Sequence, residues 1–272
     1  MNNDNKNLKI VTVIQARMAS TRLPGKVLMP LSGKPLLIRM FERVQQSKLA
    51  GKIIVAVTTD PEDQVLVNLC NENKISVFRG SPIDLLDRHY QAALLYIADA
   101  VVKIPSDCPL IDPKIIDEVI GYFINNFDEF DYASNLHPPS WPDGNDVEIM
   151  KMSSLKDAWL NAKRQMEREH TTPYFWENPD KFKIGNVFWN TKLDYSMTYR
   201  FTIDYKEDYD FINRVYAELY PVKKDFTLND ILKLLKEKPE IKKINEKYNG
   251  VNWYRNHLDE LKTVGINNTK II

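Results

Sequence analysis

Residues 10–26 read IVTVIQARMASTRLPGK, and this stretch decides the fold. Its first five residues form an apolar run that is typical of a buried strand. The loop that follows places three cations, Arg17, Arg22 and Lys26, among small hydroxyl residues and ends in a Pro-Gly turn signal. Loops that leave the carboxyl ends of strands in an α/β sheet are usual ligand positions, and such a turn lets backbone amides approach an anion. The stretch therefore predicts a polyphosphate site.

The loop matches neither of the common phosphate-binding motifs. No Gly-Lys-Ser/Thr sequence closes it, as a Walker loop requires, and Gly25 is its only glycine, which excludes a dinucleotide fingerprint. Two guanidinium groups and one ammonium match the several oxygens of a triphosphate better than a single carboxylate. A solvated basic turn is the alternative interpretation of the same residues.

The amino-acid composition limits the kinds of protein that this chain can be. The 272 residues are 43% hydrophobic, enough for a sizeable core, and Lys+Arg and Asp+Glu both total 37, which argues against a nucleic-acid surface and against electrostatic membrane binding. Cys70 and Cys108 form no disulfide framework and have no metal-like spacing, which favours a reducing cytoplasm. Residues 1–9 precede an apolar strand that is too short for a signal sequence or a membrane span. We predict a cytoplasmic protein with no nucleic-acid and no membrane partner.

Strand-like and helix-like patterns alternate up to about residue 126. Further strands are predicted at residues 53–57, 76–78 and 100–104, and helices at residues 35–44, 60–71, 81–98 and 112–126. Asp60, Ser81 and Asp112, each followed by proline, are the predicted amino-terminal caps of the last three helices. This alternation predicts an α/β domain, a three-layer, Rossmann-like α/β/α fold with helices on both faces of a mostly parallel sheet.

The pattern changes after Asp131. Strands are predicted at residues 132–134, 147–150, 182–189 and 198–203, helices at residues 154–166, 169–176 and 204–219, and a Pro-rich loop at residues 136–145. No linker separates this region, so we interpret residues 1–272 as a single domain in which residues 130–200 are an insertion that covers the site. Residues 221–272 are predicted to be a helical extension, with a capping box at Thr227 and a Lys-rich, solvated face.

Two aspartates follow strand-like segments. Asp107 comes after the strand at residues 100–104 and is expected at the same sheet edge as the loop. If a triphosphate binds the loop, a divalent cation between the triphosphate and the Asp107 carboxylate would remove their repulsion. Mg²⁺ is commonly coordinated by one or two carboxylates together with phosphate oxygens. An ordinary turn aspartate is the alternative. For Asp204 the neighbouring residues favour a helix cap, with Glu207 completing a capping box, over a second metal ligand.

Several motifs resemble one known family. They are the loop itself, Gly33-Lys34-Pro35-Leu36, Val55-Ala56-Val57-Thr58-Thr59-Asp60 and Asp107-Cys108-Pro109-Leu110-Ile111. Together they resemble the bacterial cytidylyltransferases that activate acidic sugars, of which the Kdo (3-deoxy-manno-octulosonate) and acylneuraminate enzymes are the best-known members. Residues 85–90, 142–148, 168–174 and 200–204 most resemble the branch named for a spore-coat polysaccharide protein.

This resemblance implies a Mg²⁺-dependent nucleotidyltransferase of the glycosyltransferase-A-like α/β type. Such an enzyme transfers CMP from CTP to a small anionic acceptor, such as an acidic sugar, and releases pyrophosphate, for surface polysaccharide biosynthesis. The family likeness implies catalytic roles for Arg17, Arg22, Lys26 and Asp107, a metal ion on Asp107 and Asp204, and a homodimer formed by the insertion. The implied nucleotide contacts are Gln15, Ala16, Arg17, Ser20, Arg22, Lys26 and Ser81.

Candidate acceptor contacts lie in the second half of the chain. They are Asp143, Asp146, Glu148, His170 and Arg200. The three acids could bind acceptor hydroxyls or an amine, or be exposed turn acids. His170 could donate to the acceptor or bond a helix end, and Arg200 could form a fork for a carboxylate or phosphate. Two other functions stay open: a sugar-1-phosphate nucleotidyltransferase that uses UTP or dTTP, although its usual glycine-rich loop is absent, and a nucleotide-binding homologue without turnover.

Overall fold

The computed structural model describes residues 8–272, so the prediction for residues 1–9 lies almost entirely outside the described residues. The strands, in chain order, are β1 (Ile10–Gln15), β2 (Pro30–Leu31), β3 (Lys34–Pro35), β4 (Lys52–Thr58), β5 (Val77–Gly80), β6 (Ala100–Pro105), β7 (Tyr132–Ser134), β8 (Glu148–Lys151) and β9 (Ile184–Asn186). The α-helices are α1 (Leu36–Val44), α2 (Gln64–Glu72), α3 (Leu85–Leu95), α4 (Pro113–Asn125), α5 (Met152–Asn161), α6 (Gln165–His170), α7 (Pro173–Trp176), α8 (Lys206–Leu219), α9 (Leu228–Glu237) and α10 (Pro239–Lys242). Along the described part of the chain, no helix has both the length and the apolar character that crossing a bilayer needs.

Seven strands form one sheet in the order β5-β4-β1-β6-β8-β7-β9. The first four are mutually parallel, β8 is antiparallel to both of its neighbours, and β7 is parallel to β9. The apolar runs of β1, β4 and β6 are central in this sheet and buried on both faces, as parallel strands usually are. The predicted mostly parallel α/β sheet is confirmed.

The two faces of β1 show the three layers directly. Ile10 and Ile14 pack in a core with residues of α1, α2, α4, α8 and α9. Val11 and Val13, which alternate with them along the strand, pack in a second core with residues of α3, α5 and α6. Helices therefore cover both faces of the sheet, as predicted.

The strand order brings the predicted site residues to one edge. β1 and β6 are parallel neighbours, and Gln15 at the end of β1 is paired with Pro105 at the end of β6. The loop after β1 and the segment that carries Asp107 therefore leave the same edge side by side, which the sequence predicted.

The second half of the chain extends the same sheet. β7, β8 and β9 all lie within residues 130–200 and add to the edge beyond β6. The helix predicted at residues 154–166 is in fact two helices, α5 and α6. They are separate because Glu167 accepts the N–H groups of Lys163 (3.2 Å) and Arg164 (3.0 Å) and so begins a new helix. β9 is shorter than the predicted strand at residues 182–189.

The predicted strand at residues 198–203 does not form. Its backbone meets the loop before β8 at a single bridge, between Asp143 and Arg200, where Phe201 N donates to Asp143 O at 2.8 Å. Gly144 has φ +97°, and a Cβ on it would lie 2.6 Å from the carbonyl carbon of Phe201. This tight turn cannot continue into a ladder, so the strand predicted from the apolar pattern was wrong.

The helix caps are partly as predicted. Asp112 caps α4 by accepting from Lys114 N at 2.9 Å. Asp84, and not Ser81, caps α3, with its carboxylate 2.8 Å from Asp87 N. An ionised carboxylate is a stronger acceptor than a hydroxyl, and the Ser81 hydroxyl accepts the N–H of Asp84 instead, at 3.1 Å. Asp60 precedes a 3₁₀ turn and makes no capping bond to it.

Candidate active site

The loop after β1 is anchored at its base. The buried carboxylate of Asp63 accepts from Met18 N (2.7 Å) and Thr58 N (2.9 Å), which ties the loop to the end of β4. Gly25 adopts φ +69°, which glycine does without strain, and its N–H donates to Met18 O at 3.0 Å. The turn at Gly25 leads directly into the short 3₁₀ helix that carries Lys26. Arg17, nearer the strand, stays exposed.

Lys26 lies between the two aspartates that the sequence singled out. Its Nζ is 3.0 Å from Asp107 Oδ2 and 3.4 Å from Asp204 Oδ1, and it also contacts the carbonyl of Ile203. Burial lowers the pKa of this ammonium, but the charges of the two carboxylates outweigh burial and raise its pKa above the ordinary value. Ile203 N donates to Asp107 O at 2.9 Å, which keeps the two segments adjacent. Two carboxylates and one cation thus meet at the sheet edge.

Asp204 is not a helix cap. α8 begins two residues later, and Asp208 Oδ2 accepts the N–H groups of both Asp204 and Tyr205 at 3.0 Å. The cap interpretation, with Glu207 as its partner, was therefore wrong. A carboxylate four residues further along satisfies these donors and leaves Asp204 free for other contacts.

The Asp204 carboxylate is surrounded by three cations. Arg22 lies 2.5 Å from Oδ1, Arg200 lies 2.8 Å from Oδ2, and Lys26 is the third. Burial raises the pKa of Asp204, but Lys26, Arg200 and Arg22 together outweigh burial and hold the pKa below its usual range. This carboxylate is therefore ionised at neutral pH.

Arg200 is committed to the protein itself. Only 1% of its side chain is exposed, and its nitrogens lie 3.0 Å from Asp208, 3.2 Å from Asp143 and 2.8 Å from Asp204. It also donates to the carbonyl of Val251. The guanidinium lines the cavity described next, but it is not a free fork for a carboxylate or phosphate. Its contacts position Asp204.

These groups line a cavity of about 630 Å³ at the carboxyl edge of the sheet. The predicted site residues in its wall are Gln15, Ala16, Arg17, Ser20, Arg22, Lys26, Asp107, Asp143, Asp146, Glu148, His170, Arg200 and Asp204. Ser81 is the one candidate outside this wall, although its neighbours Pro82 and Ile83 belong to it. The structure thus brings together residues from both halves of the chain.

Glu148 lies in the wall of the same cavity. Its carboxylate pairs with Lys103 and accepts from Tyr132 OH at 2.6 Å. Burial raises the pKa of Glu148, but Lys103 outweighs burial and the pKa is lowered. Sequence reasoning missed Lys103, although a lysine inside the apolar run of β6 was a usable signal.

Asp143 and Asp146 are half-buried rather than exposed turn acids. Asp146 accepts from Gly144 N at 3.2 Å, and burial, with the nearby charges of Glu148 and Asp107, raises its pKa to about 6. Burial also raises the pKa of Asp143 well above its usual range, even though Arg200 opposes this.

His170 ends α6 and faces the cavity. Its ring stacks on Trp253, with centroids 3.8 Å apart and planes at 15°, and makes no hydrogen bond within residues 8–272. The alternative of a helix-end hydrogen bond is therefore not observed. Burial lowers the pKa of His170 to about 3, so the ring is neutral at pH 7.

A carboxyl-terminal segment, residues 250–257, also contributes to the wall of the cavity. Trp253 and Tyr254 line the wall. Just beyond it, Glu177 accepts the N–H groups of Lys262 (2.8 Å) and Thr263 (2.9 Å) and holds the chain in place. Sequence reasoning missed this segment because no local motif marks it.

An arrangement of cations facing two aspartates at the edge of a parallel sheet is compatible with several classes of nucleotide-binding protein. Similarity to known proteins distinguishes between these classes. The sequence model of the family described as cytidylyltransferase matches residues 11–238. The chain belongs to the cytidylyltransferase family. The match spans the loop, Asp107 and Asp204, and it confirms the resemblance predicted from the motifs. It ends before the segment at residues 250–257.

Similarity to individual proteins supports the assignment of this chain to the cytidylyltransferase family. The chain is 30% identical over 236 residues to the spore coat polysaccharide biosynthesis protein SpsF of Bacillus subtilis, covering 85% of this chain and 95% of that protein. It is 38% identical over 122 residues to the 3-deoxy-manno-octulosonate cytidylyltransferase of Chloroherpeton thalassium, covering 44% of this chain and 48% of that enzyme. The solved structure of a cytidylyltransferase from Leptospira borgpetersenii has a TM-score of 0.81 and 35% identity, covering 86% of this chain and 97% of that one.

Proposed function

We propose that this protein transfers CMP from CTP to an acidic sugar or a related anionic acceptor, with release of pyrophosphate, in surface polysaccharide biosynthesis. The observation that carries the proposal is the meeting of Lys26, Asp107 and Asp204 in the cavity of a cytidylyltransferase-family chain. The names of SpsF and of the 3-deoxy-manno-octulosonate enzyme support a saccharide acceptor.

The loop supplies the charges that a triphosphate needs. Arg17 is exposed, lines the cavity and has no carboxylate partner in the described chain. Arg22 and Lys26 are held beside the aspartates, where they can stabilise charge on the departing phosphates. The nucleotide contacts Gln15, Ala16 and Ser20 lie in the same wall. Ser81 stays a weaker candidate.

Asp107 and Asp204 fit a Mg²⁺ site that substrate phosphates complete. Their oxygens converge on one cation, the Lys26 ammonium, which occupies the kind of position that a divalent ion takes between carboxylates. Within residues 8–272 no group of three or more His, Cys, Asp and Glu side chains could hold a metal ion. In this proposal phosphate oxygens and waters would supply the remaining ligands. When bound, the metal would neutralise charge on the α-phosphate.

The transfer itself needs no protein nucleophile. An acceptor oxygen attacks the α-phosphorus in line, the bond to the bridging oxygen of the β-phosphate breaks, and pyrophosphate leaves with the bonding electrons. Arg22 and Lys26 stabilise the leaving group. The attacking group can be a carboxylate, a hydroxyl or a phosphate, and a hydroxyl would require Asp107 or another carboxylate to take its proton.

In this proposal the acceptor lies in the part of the cavity that is lined by Asp143, Asp146, Glu148 and His170. The acids and the neutral imidazole can bind hydroxyl or amine groups. Because Arg200 is committed to Asp143, Asp204 and Asp208, it would not bind the anionic group of the acceptor directly.

The test is CTP-dependent release of pyrophosphate with a panel of sugar acids, sugar phosphates and amino-acid derivatives. We expect turnover with at least one acidic acceptor, and less with UTP, dTTP or ATP in place of CTP. Release with none of the acceptors, or equal rates with all nucleotides, would contradict the proposal.

Loop variants should separate binding of the leaving phosphates from binding of the nucleoside. Arg22→Ala should weaken CTP and pyrophosphate binding by roughly 10- to 100-fold, because a charge-assisted hydrogen bond is lost, and CMP binding far less. Isothermal titration measures the three ligands. Arg214→Ala, which changes an exposed arginine of α8, is the matched control. Similar losses for CMP and CTP would contradict the assignment.

Metal dependence should be visible in thermal stability. With ligand at about 100 times its Kd, CTP and Mg²⁺ should raise Tm by roughly 5–10 °C, because binding to the native state alone stabilises it. CTP with chelator should raise Tm much less, as differential scanning fluorimetry can show. Equal shifts with and without Mg²⁺ would argue against a metal on Asp107 and Asp204.

We also propose a cytoplasmic homodimer whose interface comes from residues 130–200. Phe188, Leu193 and Met197 are 58%, 45% and 41% exposed. Together they leave more apolar surface in contact with solvent than we expect for a segment that only covers the cavity. Cys70 and Cys108 are free thiols, in keeping with a reducing compartment. Size-exclusion chromatography with light scattering should give about twice the chain mass of 31.7 kDa, and Phe188→Asp should shift it toward the monomer. A monomeric wild type at micromolar concentration would disprove the dimer.

A further inference from the structure

A second, smaller cleft lies on the face of the sheet that α1 and α8 cover. Its volume is about 180 Å³, and it is bounded by α1 and the carboxyl-terminal end of α8. The side chains in its wall include Arg39, Arg43, Tyr216, Tyr220 and Lys224, and none of its lining residues belongs to the wall of the active-site cavity. Pockets for drug-sized ligands measure about 300–1,000 Å³, so this cleft suits only a small molecule or an ion.

Arg43 is a buried cation without a carboxylate partner. Its side chain is 3% exposed, and the ring of Phe226 covers the guanidinium at 4.4 Å from the ring centroid. Nε donates to Ile111 O at 2.7 Å, and Nη2 donates to Phe226 O at 3.0 Å and to Leu110 O at 3.4 Å. Within residues 8–272 these acceptors are all neutral. A buried charge that has only neutral partners is costly, and an anion would compensate it.

The third nitrogen of Arg43 still has a proton to donate. Nη1 carries two protons, and the Tyr216 hydroxyl, which acts on the guanidinium, can accept one of them. That hydroxyl gives its own proton to Pro109 O at 2.8 Å. Nη1 itself is not enclosed, so at least one of its N–H groups is available to a ligand in the cleft.

The acid in the wall of the cleft is already paired twice. The Glu42 carboxylate lies 2.5 Å from Lys34 and 2.8 Å from Arg39, so two cations balance its charge. Lys224, in the same wall, is exposed and forms no ion pair in the part of the chain that the structure describes. Arg43 and Lys224 therefore give the cleft a surplus of positive charge.

Two further acids act on Arg43 without pairing with it. Asp112 caps α4 and accepts from Lys114 N at 2.9 Å, and Asp225 lies on the exposed loop before α9. Burial lowers the pKa of Arg43, and Tyr216, Asp112 and Asp225 do not outweigh burial. The guanidinium stays charged at neutral pH, as arginine does in proteins, so its need for a counter-charge persists.

We propose that this cleft is a second anion site, which binds a small tetrahedral oxyanion such as inorganic phosphate between Arg43 and Lys224. Such an ion has several oxygens, and these can accept from the guanidinium and from the ammonium at once. The inference does not depend on cytidylyl transfer. Two of the carbonyls that Arg43 holds, those of Leu110 and Ile111, lie shortly after Asp107 in the chain, so a bound oxyanion would help to fix the segment that carries Asp107.

Isothermal titration with inorganic phosphate at constant ionic strength tests the site. The wild type should bind phosphate saturably with a Kd of about 1 mM or tighter, which two charge-assisted contacts can supply. Lys224→Glu reverses an exposed charge without disturbing the core, and it should weaken phosphate binding by about 10-fold or more. Lys156→Glu changes another exposed lysine, on α5, and as the matched control it should leave the Kd within about twofold of the wild type.

Arg22→Ala distinguishes this site from the loop after β1, which also carries cations. It should leave phosphate binding within about twofold, because Arg22 belongs to the wall of the other cavity. Arg43→Met should remove binding, and Lys224→Glu decides the matter if Arg43→Met does not fold. The absence of saturable binding, or a loss in Arg22→Ala without one in Lys224→Glu, would overturn the proposal and leave the proposed function untouched. Acetate that binds more tightly than phosphate would overturn the assignment to a tetrahedral oxyanion.

Discussion

Asp107→Asn should reduce CTP-dependent pyrophosphate release by about 10²- to 10³-fold, the scale of losing a preorganised electrostatic contact. The substitution keeps the shape of the side chain but removes the charge that faces Lys26 at 3.0 Å and that would hold the metal ion. The side chain is partly exposed, so the folded state should persist, as circular dichroism and urea unfolding can verify.

Asp210→Asn is the matched control for this variant. Asp210 pairs with Lys206 on the exposed face of α8, where its side chain is 41% exposed. It should leave turnover unchanged. A rate above about a tenth of the wild-type rate would mean a loss smaller than one such contact supplies. In that case the role given to Asp107 would be wrong.

Arg200→Met should lower the free energy of unfolding by about 3–5 kcal/mol, the cost of removing one partner from a buried ion pair. Asp208, which is fully buried, would lose its charged partner, and Asp143 would lose its contact with Arg200. Asp204 would keep only Arg22 and Lys26 of its three cations. Urea unfolding measures the change through the shift in midpoint at constant slope.

A double variant isolates the cause of this loss. In Arg200→Met with Asp208→Asn, no buried charge is left unpaired at position 208, so part of the stability should return. Arg214→Met should change stability by less than about 0.5 kcal/mol because its side chain is exposed. A loss below about 1 kcal/mol for Arg200→Met would show that the network is not structural.

The regular part of the fold was predictable because local signals and tertiary packing agree. The apolar runs of β1, β4 and β6 are strands that are buried on both faces, and the Asp-Pro start of α4 is a true cap. The prediction failed at residues 198–203, where an apolar, β-branched pattern meets only the Gly144 turn. Whether a strand forms depends on its partner, and that partner is more than fifty residues away.

The candidate site was predictable where its residues are contiguous or follow neighbouring strands. This holds for Arg22, Lys26 and Asp107. For Asp204 the local sequence suggested a cap, because nothing in it shows that Asp208 takes the helix amides.

Val251 is synthesised well after Arg200, the residue whose guanidinium donates to its carbonyl. During translation the chain emerges amino end first, so Arg22 and Lys26 leave the ribosome early and Arg200 much later. Arg200 then still lacks one acceptor, the carbonyl of Val251, until residue 251 has emerged as well. A nascent chain that stops short of this residue carries the loop at residues 16–26 next to an Asp204 whose partner Arg200 is incompletely anchored.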